Sequence, residues 1–327
     1  MSTVLVTGGS GFLGGHCILQ LLREGHGVRA TLRDLGTQAS LRAVLEANGA
    51  AADAPLSFAA ADLMSDARWE AAVEGCDKVL HVASPFPARQ PEDENELIAP
   101  ARDGRLRVLR AAREADVKRV VLTSSFAAIG YGRRHPGRAY DETDWTEEDA
   151  PNAPYIRSKT IAERAAWDFV AREGGGLELT VVNPTGIFGP ALSADLSASL
   201  GLVKAILEGE TPAPPAMSFG VVDVRDVADL QLRAMTGTEA AGERFIAVAG
   251  PAISLRDVAQ ILREEFGEKA NRVAASLLEP SQPSSDPAER RDASGAKARR
   301  VLGWSPRSAR EAIVASAESL LRLGLVV

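Results

Sequence analysis

The stretch Thr3-Val4-Leu5-Val6-Thr7-Gly8-Gly9-Ser10-Gly11-Phe12-Leu13-Gly14 decides the fold, because an apolar strand leads through a glycine-rich turn into a helix. The turn contains a G-x-G-x-x-G match at Gly9, Gly11 and Gly14, and Gly8 adds a second series with a spacing of three. In this context the missing side chains let the backbone approach a pyrophosphate, whose charge faces the helix N-terminal amides. We therefore predict a dinucleotide site here. The predicted cofactor contacts are Gly8, Gly11, Phe12, Leu13 and Gly14.

Further along the 327-residue chain, short apolar runs alternate with helical patterns. The predicted strands are Thr3–Thr7, Val28–Leu32, Leu56–Ala61, Lys78–Val82, Arg119–Thr123 and Leu179–Asn183. The predicted helices are Phe12–Glu24, Ala39–Ala47, Leu97–Ala115 and Tyr155–Arg172. Buried strands without polar alternation, most of them followed by a helix, indicate a parallel sheet covered on both faces. Right-handed crossovers then predict an α/β fold with a doubly wound (Rossmann) sheet.

The pattern changes after Asn183-Pro184, where proline-rich segments separate the remaining elements. These are predicted strands at Val221–Asp223 and Phe245–Val248 and helices at Ser197–Glu208, Ile253–Phe266 and Ala309–Leu323. We predict that residues 1–185 plus 217–250 form the dinucleotide-binding domain. Residues 186–216 plus 251–327 then form a smaller C-terminal substrate-binding lobe.

Composition excludes several classes of function. The net charge of −7 and the pI near 5.3 argue against a nucleic-acid surface. Two cysteines make no disulfide framework, and four dispersed histidines offer no metal motif. The chain shows no signal-peptide pattern and no apolar run of about 18 residues that could span a membrane. We expect a cytoplasmic protein without a metal, nucleic-acid or membrane partner.

The end of the second predicted strand bears on the choice between NAD and NADP. An NAD site usually offers an acid to the ribose 2′-hydroxyl, whereas an arginine accommodates the 2′-phosphate of NADP. Arg33 falls at this strand end, where its guanidinium can bind phosphate. Asp34 follows at once and leaves a simple surface Arg33–Asp34 pair as the alternative. NADP(H) is favoured, with NAD(H) as the second possibility.

Tyr155 and Lys159 lie four residues apart in a predicted helix and therefore share one face. A nearby ammonium group favours phenolate, so it lowers the tyrosine pKa from about 10 and makes a proton donor for near-neutral pH. The alternative is that Tyr155 packs and Lys159 pairs with Glu163. Ser125 follows the strand Arg119–Thr123, where ligands sit in open α/β sheets, and its hydroxyl could bind a substrate oxygen. Turn chemistry is the alternative for this serine.

Together these features resemble the extended short-chain dehydrogenase/reductases. Within them, the chain is similar to the group of dihydroflavonol 4-reductase, cinnamoyl-CoA reductase and aldehyde reductase. The stretches that carry this likeness are Val28–Asp34, His81–Pro85, Thr123–Ser125, Asp141–Trp145, Tyr155–Trp167 and Val222–Ala228. The likeness covers most of Met1–Asp229 and fades in the C-terminal lobe. Plant members often carry a lysine shortly after the strand-end arginine, where this chain has Gly36-Thr37-Gln38.

The resemblance implies hydride transfer from NADPH to an aldehyde or ketone carbonyl. Tyr155 would be the general acid, Lys159 would bind the nicotinamide ribose and lower the tyrosine pKa, and Ser125 would hold the carbonyl oxygen. The further cofactor contacts that it implies are Asp62, Leu63, Val82, Ala83, Ser84, Thr123, Pro184 and Ile187.

The substrate is less well specified. Aromatic residues near the motif ends indicate a hydrophobic or aryl carbonyl. The candidate pocket residues are Phe86, Phe126, Tyr131, Phe188 and Phe219. Two alternatives stay open: an NAD-dependent nucleotide-sugar epimerase or dehydratase, and a non-catalytic dinucleotide-sensing regulator. We expect a monomer or a homodimer.

Overall fold

The structure is a computed structural model that describes residues 2–84, 93–132, 137–211, 217–279 and 291–326. The candidate pocket residue Phe86 lies outside these ranges. Strands and helices are numbered below in chain order. The strands are β1 (Thr3–Thr7), β2 (Gly27–Leu32), β3 (Leu56–Ala60), β4 (Lys78–His81), β5 (Arg119–Thr123), β6 (Glu178–Pro184), β7 (Gly186–Phe188), β8 (Ser218–Phe219), β9 (Val221–Asp223), β10 (Arg244–Ala247) and β11 (Ile253–Ser254).

Helices follow most of the strands. They are α1 (Phe12–Arg23), α2 (Gln38–Ala47), α3 (Trp69–Val73), α4 (Asn95–Glu114), α5 (Pro154–Glu173), α6 (Ala198–Leu207), α7 (Val224–Thr236), α8 (Leu255–Phe266), α9 (Ala275–Leu278), α10 (Ala296–Leu302) and α11 (Ala309–Arg322). The predicted helix Ile253–Phe266 begins at Leu255 instead. Ile253–Ser254 pairs antiparallel with β8, and Ser254 then caps α8 in a reciprocal box with Asp257.

Within the described residues, seven strands form a parallel sheet in the order β10-β6-β5-β4-β1-β2-β3. The predicted doubly wound Rossmann sheet is therefore confirmed. The chain moves outward in one direction from β1 through β2 to β3, and in the other from β4 onward. Ligands bind at such a reversal, beyond the carboxyl ends of the strands. Register places Thr7 of β1 beside His81 of β4, and His81 beside Leu122 of β5.

Both faces of the sheet are buried, as the unbroken apolar strands predict. Successive strand residues point to opposite faces. Val4 and Val6 therefore pack with Ile18 of α1 and Leu230 of α7 in one apolar cluster. Leu5 lies in a second cluster on the opposite face, with residues of α3, α4 and α5. This arrangement leaves the strand ends as the open edge of the sheet.

A third apolar cluster lies in the C-terminal part of the chain. It joins residues of α6, α8, α9 and α11, among them Val203, Leu262 and Ile313. Helix α10 belongs elsewhere, because Ala298 and the following Trp304 pack in the first cluster under the sheet. The two-part division of the chain stays a prediction. None of the helices in the described ranges combines the length and apolar character needed to cross a bilayer.

Candidate functional site

The turn between β1 and α1 is built so tightly that glycine is required at two positions. Gly8 has φ of +69°, a left-handed conformation that side chains disfavour. A Cβ placed on Gly14 would lie 2.2 Å from the carbonyl oxygen of Gly8. The Gly8 amide donates to the Thr31 hydroxyl at 3.1 Å, which ties the turn to β2. The turn is therefore a fixed backbone cradle.

The N-terminus of α1 is open for an anion. Gly11 caps the helix without a side-chain hydrogen bond, and the first turn holds no acidic residue. The first amides of a helix lack intrahelical partners and carry partial positive charge. Gly8, Gly11, Phe12, Leu13 and Gly14 thus provide the cradle that a dinucleotide pyrophosphate fits.

Arg33 and Asp34 do not form the surface pair that was the alternative at the end of β2. Asp34 caps the following turn, and its carboxylate accepts a hydrogen bond from the Gly36 amide at 2.8 Å. Arg33 is exposed, and within the described ranges its guanidinium has no recorded hydrogen bond or ion pair. Its charge is consequently free to meet an anion at the edge of the cradle.

A buried hydrogen-bond chain joins β1 to the segment after β4. The Thr7 hydroxyl lies 2.8 Å from Nδ1 of His81 and accepts from the Ala83 amide at 3.0 Å. Burial, with smaller contributions from the charges of Arg105 and Lys159, lowers the pKa of His81 to about 3. His81 is therefore neutral and structural, and it positions the Val82–Ser84 segment along the predicted cofactor path.

The three predicted catalytic residues converge at the open sheet edge. Tyr155 and Lys159 stand on α5, which begins with Pro154 at a position where proline is tolerated. The Ser125 hydroxyl hydrogen-bonds with the Tyr155 phenol. The Lys159 ammonium lies 5.4 Å from the centre of the Tyr155 ring and donates to the Ser84 hydroxyl at 2.6 Å. The proposed alternative of a Lys159–Glu163 pair is thus not what the structure shows.

Burial has the largest effect on the pKa values of Tyr155 and Lys159. It raises the pKa of Tyr155, against the opposing effects of the Ser125 hydrogen bond and the Arg105 charge. The direction is opposite to the one expected from a neighbouring lysine, because desolvating a phenolate outweighs the nearby positive charge. Burial and the Arg105 charge also lower the pKa of Lys159 to about 7. Tyr155 therefore holds its proton at neutral pH, the form that a proton donor needs.

Ser125 is held by a buried polar network. Its carbonyl oxygen accepts from the Asn183 side chain at 3.1 Å, and the same Asn183 amide donates to Glu163 at 2.6 Å. The other Glu163 oxygen accepts from Arg244 at 2.7 Å. Arg244 also stacks over the Trp145 ring at 3.8 Å. The network links β6, β10 and α5, so it fixes the serine relative to the helix that carries Tyr155.

The remaining predicted cofactor contacts lie along the same sheet edge, but several of their polar atoms have protein partners. The Asp62 carboxylate accepts from the Met64 amide at 2.9 Å, and the Leu63 carbonyl accepts from Arg107 at 2.7 Å. The Thr123 hydroxyl accepts from Gln231 at 2.7 Å in the interior. Pro184 ends β6, and Ile187 lies in β7. Thr123 is therefore engaged in the core.

The aromatic pocket candidates separate into two groups. Phe188 is 1% exposed and Phe126 7%, and both pack in apolar clusters of the interior. Phe188 also stacks nearly parallel on Phe219, with ring centres 5.9 Å apart. Tyr131 and Phe219 are half-buried, and Tyr131 is close enough to influence the titration of Tyr155. Tyr131 is thus the half-buried candidate that acts on Tyr155, whereas Phe219 packs on Phe188.

Asn183, Arg244 and Arg105 were not singled out from the sequence, and Glu163 was named only as an alternative partner of Lys159. Asn183, Glu163 and Arg244 meet from distant positions, and a single sequence carries no signal for such a meeting. Arg105 did carry one, since it stands in the helical series Leu97, Ala101, Val108 and Ala112, where only apolar residues are expected. An arginine in an apolar stripe marks either a buried ion pair or a functional charge.

Comparisons with known proteins agree with this arrangement. Residues 4–249 match the model of the NAD dependent epimerase/dehydratase family. The chain is 35% identical over 271 residues to cinnamoyl-CoA reductase CAD2 of Medicago truncatula, covering 81% of both chains. It is 33% identical to dihydroflavonol 4-reductase of Zea mays over 81% of this chain and 75% of the relative. The solved structure of yeast methylglyoxal/isovaleraldehyde reductase Gre2 complexed with NADPH matches at a TM-score of 0.85 and 27% identity, over 99% of this chain and 100% of that one.

Proposed function

The chain belongs to the NAD dependent epimerase/dehydratase family, and from this premise we propose that it transfers a hydride from NADPH to an aldehyde or ketone carbonyl. Tyr155 is the proton donor in this proposal. The observation that carries it is the hydrogen-bonded Ser125–Tyr155 pair beside the buried Lys159, on the same sheet edge as the glycine cradle.

The relatives confirm the predicted enzyme class and the preference for NADP. The matched plant proteins are reductases of the predicted group, and the matched yeast structure is a reductase in complex with NADPH. The protein is therefore an oxidoreductase of the extended short-chain type, and NADP is its favoured cofactor. The unpaired Arg33 at the end of β2 supports the same preference, because a guanidinium matches the charge of a 2′-phosphate.

The chain's own residues supply binding, orientation and a proton. The Gly8–Gly14 cradle and the α1 amides would hold the pyrophosphate of the cofactor, and Lys159 with Ser84 would face its ribose. NADPH, when bound, supplies the hydride. Ser125 and Tyr155 present two hydroxyls to one substrate oxygen, where negative charge grows as the carbonyl is reduced. Tyr155 then gives its proton to that oxygen.

The substrate class follows from the half-buried side chains around this pair. Tyr131, which influences Tyr155, and Phe219 are half-buried aromatic residues, and Ile187 is a half-buried aliphatic one; in this proposal they line the space beside the hydroxyls of Ser125 and Tyr155. Apolar lining with a few oriented polar groups suits a hydrophobic or aryl aldehyde or ketone.

The test is an NADPH- and NADH-oxidation assay with a panel of aryl and aliphatic aldehydes and ketones. We expect faster oxidation of NADPH, and a turnover loss of about a hundredfold or more in Tyr155→Phe, the scale of general acid catalysis. Cofactor binding, followed by NADPH fluorescence, should change little because the ring stays. Tightly co-purified NAD without net oxidation would instead indicate the epimerase alternative. Binding with neither activity would indicate a regulator.

A further inference from the structure

Helix α4 carries a buried arginine on the face that packs against α5. Arg105 is 2% exposed and interrupts a stripe that otherwise contains residues such as Ala101, Val108 and Leu109. A guanidinium removed from water is destabilising unless a charge partner and hydrogen bonds replace its hydration. The surroundings of Arg105 therefore decide whether it is structural.

The described surroundings provide little compensation. Neither terminal nitrogen of Arg105, Nη1 or Nη2, has a hydrogen-bond partner in the described ranges. The carboxylate whose charge acts on Arg105 is that of Glu163. Both oxygens of Glu163, however, already accept hydrogen bonds, from Arg244 and Asn183. Arg105 thus keeps a buried charge that no hydrogen bond of its terminal nitrogens compensates in the described ranges, which a purely structural role does not explain.

The groups that face this charge are those of the predicted reaction. They are Tyr155, Lys159 and Glu163 of α5 and His81 of β4, and Tyr131 influences Tyr155 from the segment after β5. A fixed positive charge favours the anionic form of a phenol and the neutral forms of a lysine and a histidine. Arg105 acts in these directions on Tyr155, Lys159 and His81.

We propose that Arg105 is a positioning residue of the reaction, a fixed buried cation that stabilises the phenolate formed at Tyr155. The proposal rests on the proposed function. When Tyr155 donates, its O–H bond breaks, the electron pair stays on the phenolic oxygen and the proton forms the O–H bond of the alcohol product. Arg105 neither gains nor loses a proton, and it acts through Tyr155 rather than on the substrate.

The first test needs no substrate. Nuclear magnetic resonance of ¹³C-labelled lysine follows Lys159, one of six lysines, whose pKa is about 7. In Arg105→Met this pKa should rise by about one unit or more, because a unit charge about 12 Å away contributes about 1.4 kcal/mol at an effective dielectric constant of about 20, and a nearer charge contributes more. Arg105→Lys, which keeps the charge, should leave it near its original value. Arg110→Met, which removes an exposed arginine of the same helix, is the matched control and should leave it unchanged.

The second test is the pH profile of carbonyl reduction. Reduction needs protonated Tyr155, so turnover falls as pH rises through the pKa of this group. Without the Arg105 charge the pKa values of Tyr155 and Lys159 both rise, so the alkaline limb should move up by about one pH unit. The plateau should fall about tenfold because a phenol of higher pKa is a weaker acid. Arg105→Lys should restore both.

The outcomes are distinguishable. A lowered plateau in Arg105→Met with an unmoved alkaline limb and an unmoved Lys159 pKa indicates a packing role and overturns the proposal. If Arg105→Met is too unstable to titrate, Arg105→Gln replaces it, with the same expected shifts. A wild-type protein that reduces no carbonyl overturns the proposed function and, with it, the role of Arg105 in that reaction. In that case a rise of the Lys159 pKa in Arg105→Met would still show that the Arg105 charge acts on this group. Failure of the proposed function is therefore distinguishable from failure of the electrostatic proposal.

Discussion

Two buried arginines act on Glu163 of helix α5, and they have different surroundings. Arg244 is 7% exposed and donates from Nε to the Glu163 carboxylate and from Nη1 to the carbonyls of Glu142 and Asp144, while its Nη2 has no partner in the described ranges. Arg105 is 2% exposed, and within the described part of the chain its terminal nitrogens have no partner. The charge of Arg244 is thus paired with a carboxylate, whereas the charge of Arg105 acts on Tyr155 and Lys159. Burial alone therefore does not tell what an arginine does.

The largest expected effect is a loss of stability on substitution of Arg244, the paired arginine. Arg244→Met leaves the buried carboxylate of Glu163 without its cation, so the free energy of unfolding should fall by about 3–5 kcal/mol. Arg105→Met removes a charge without stranding a partner and should cost much less. Urea unfolding of the two variants measures both values. The double variant Arg244→Met/Glu163→Gln should recover part of the loss, and equal losses in the two single variants would contradict the comparison.

A third arginine extends the comparison, because Arg33 is exposed and has no partner among the residues that the structure describes. Arg33→Ser should leave the free energy of unfolding within about 0.5 kcal/mol of the original value. It should weaken NADPH binding by about 1.5–3 kcal/mol, the range for a hydrogen bond to a charged group, and leave NADH binding nearly unchanged. Isothermal titration calorimetry with both cofactors checks this. Arg110→Ser is the control for removing an exposed arginine, and equal losses for NADH and NADPH would refute the role of Arg33.

A smaller effect on catalysis is expected from Asn183, which links Glu163 and Arg244 to Ser125. Asn183→Ala removes the donor to the Ser125 carbonyl and to Glu163, so Ser125 loses its fixed position beside Tyr155. We expect kcat for carbonyl reduction to fall about tenfold, because a displaced binding group costs catalysis more than substrate affinity. NADPH affinity should be retained. Steady-state kinetics separate the terms, and an unchanged kcat would show that the network serves stability alone.

Elements whose bounds depend on a short stretch of residues were predicted well from the sequence. The strands Thr3–Thr7 and Arg119–Thr123 have the predicted bounds, because their apolar runs end sharply at glycine or hydroxyl residues. The strand-end position of Ser125 indicated a ligand contact, and its joint action with Tyr155 was implied by the resemblance to the short-chain reductases. Helix α7 was not predicted, although Val224, Val227 and Ala228 recur at helical spacing. The helix begins at Val224, directly after Asp223 ends β9, so no loop separates the two patterns.

The sequence did not predict which side chains form hydrogen bonds when the two partners are distant in the chain. Glu163 is four residues from Lys159, which made a local pair plausible, yet it bonds with Arg244, 81 residues away. The pKa of Tyr155 was expected to fall because the lysine was visible and the extent of burial was not. Packing between elements that are distant in the chain sets both results, and helix periodicity alone does not specify which residues then meet.

The most direct test of the central claim is a single-turnover reaction. Enzyme is mixed with excess NADPH deuterated at the hydride-donating position and an aryl aldehyde that the wild type reduces, and the alcohol is analysed by nuclear magnetic resonance. Hydride transfer with Tyr155 as proton donor predicts deuterium on the carbinol carbon, in an alcohol that Tyr155→Phe forms about a hundredfold or more slowly at equal cofactor occupancy. An alcohol without deuterium, or a Tyr155→Phe variant that forms it at the wild-type rate, would contradict hydride transfer with Tyr155 as the proton donor.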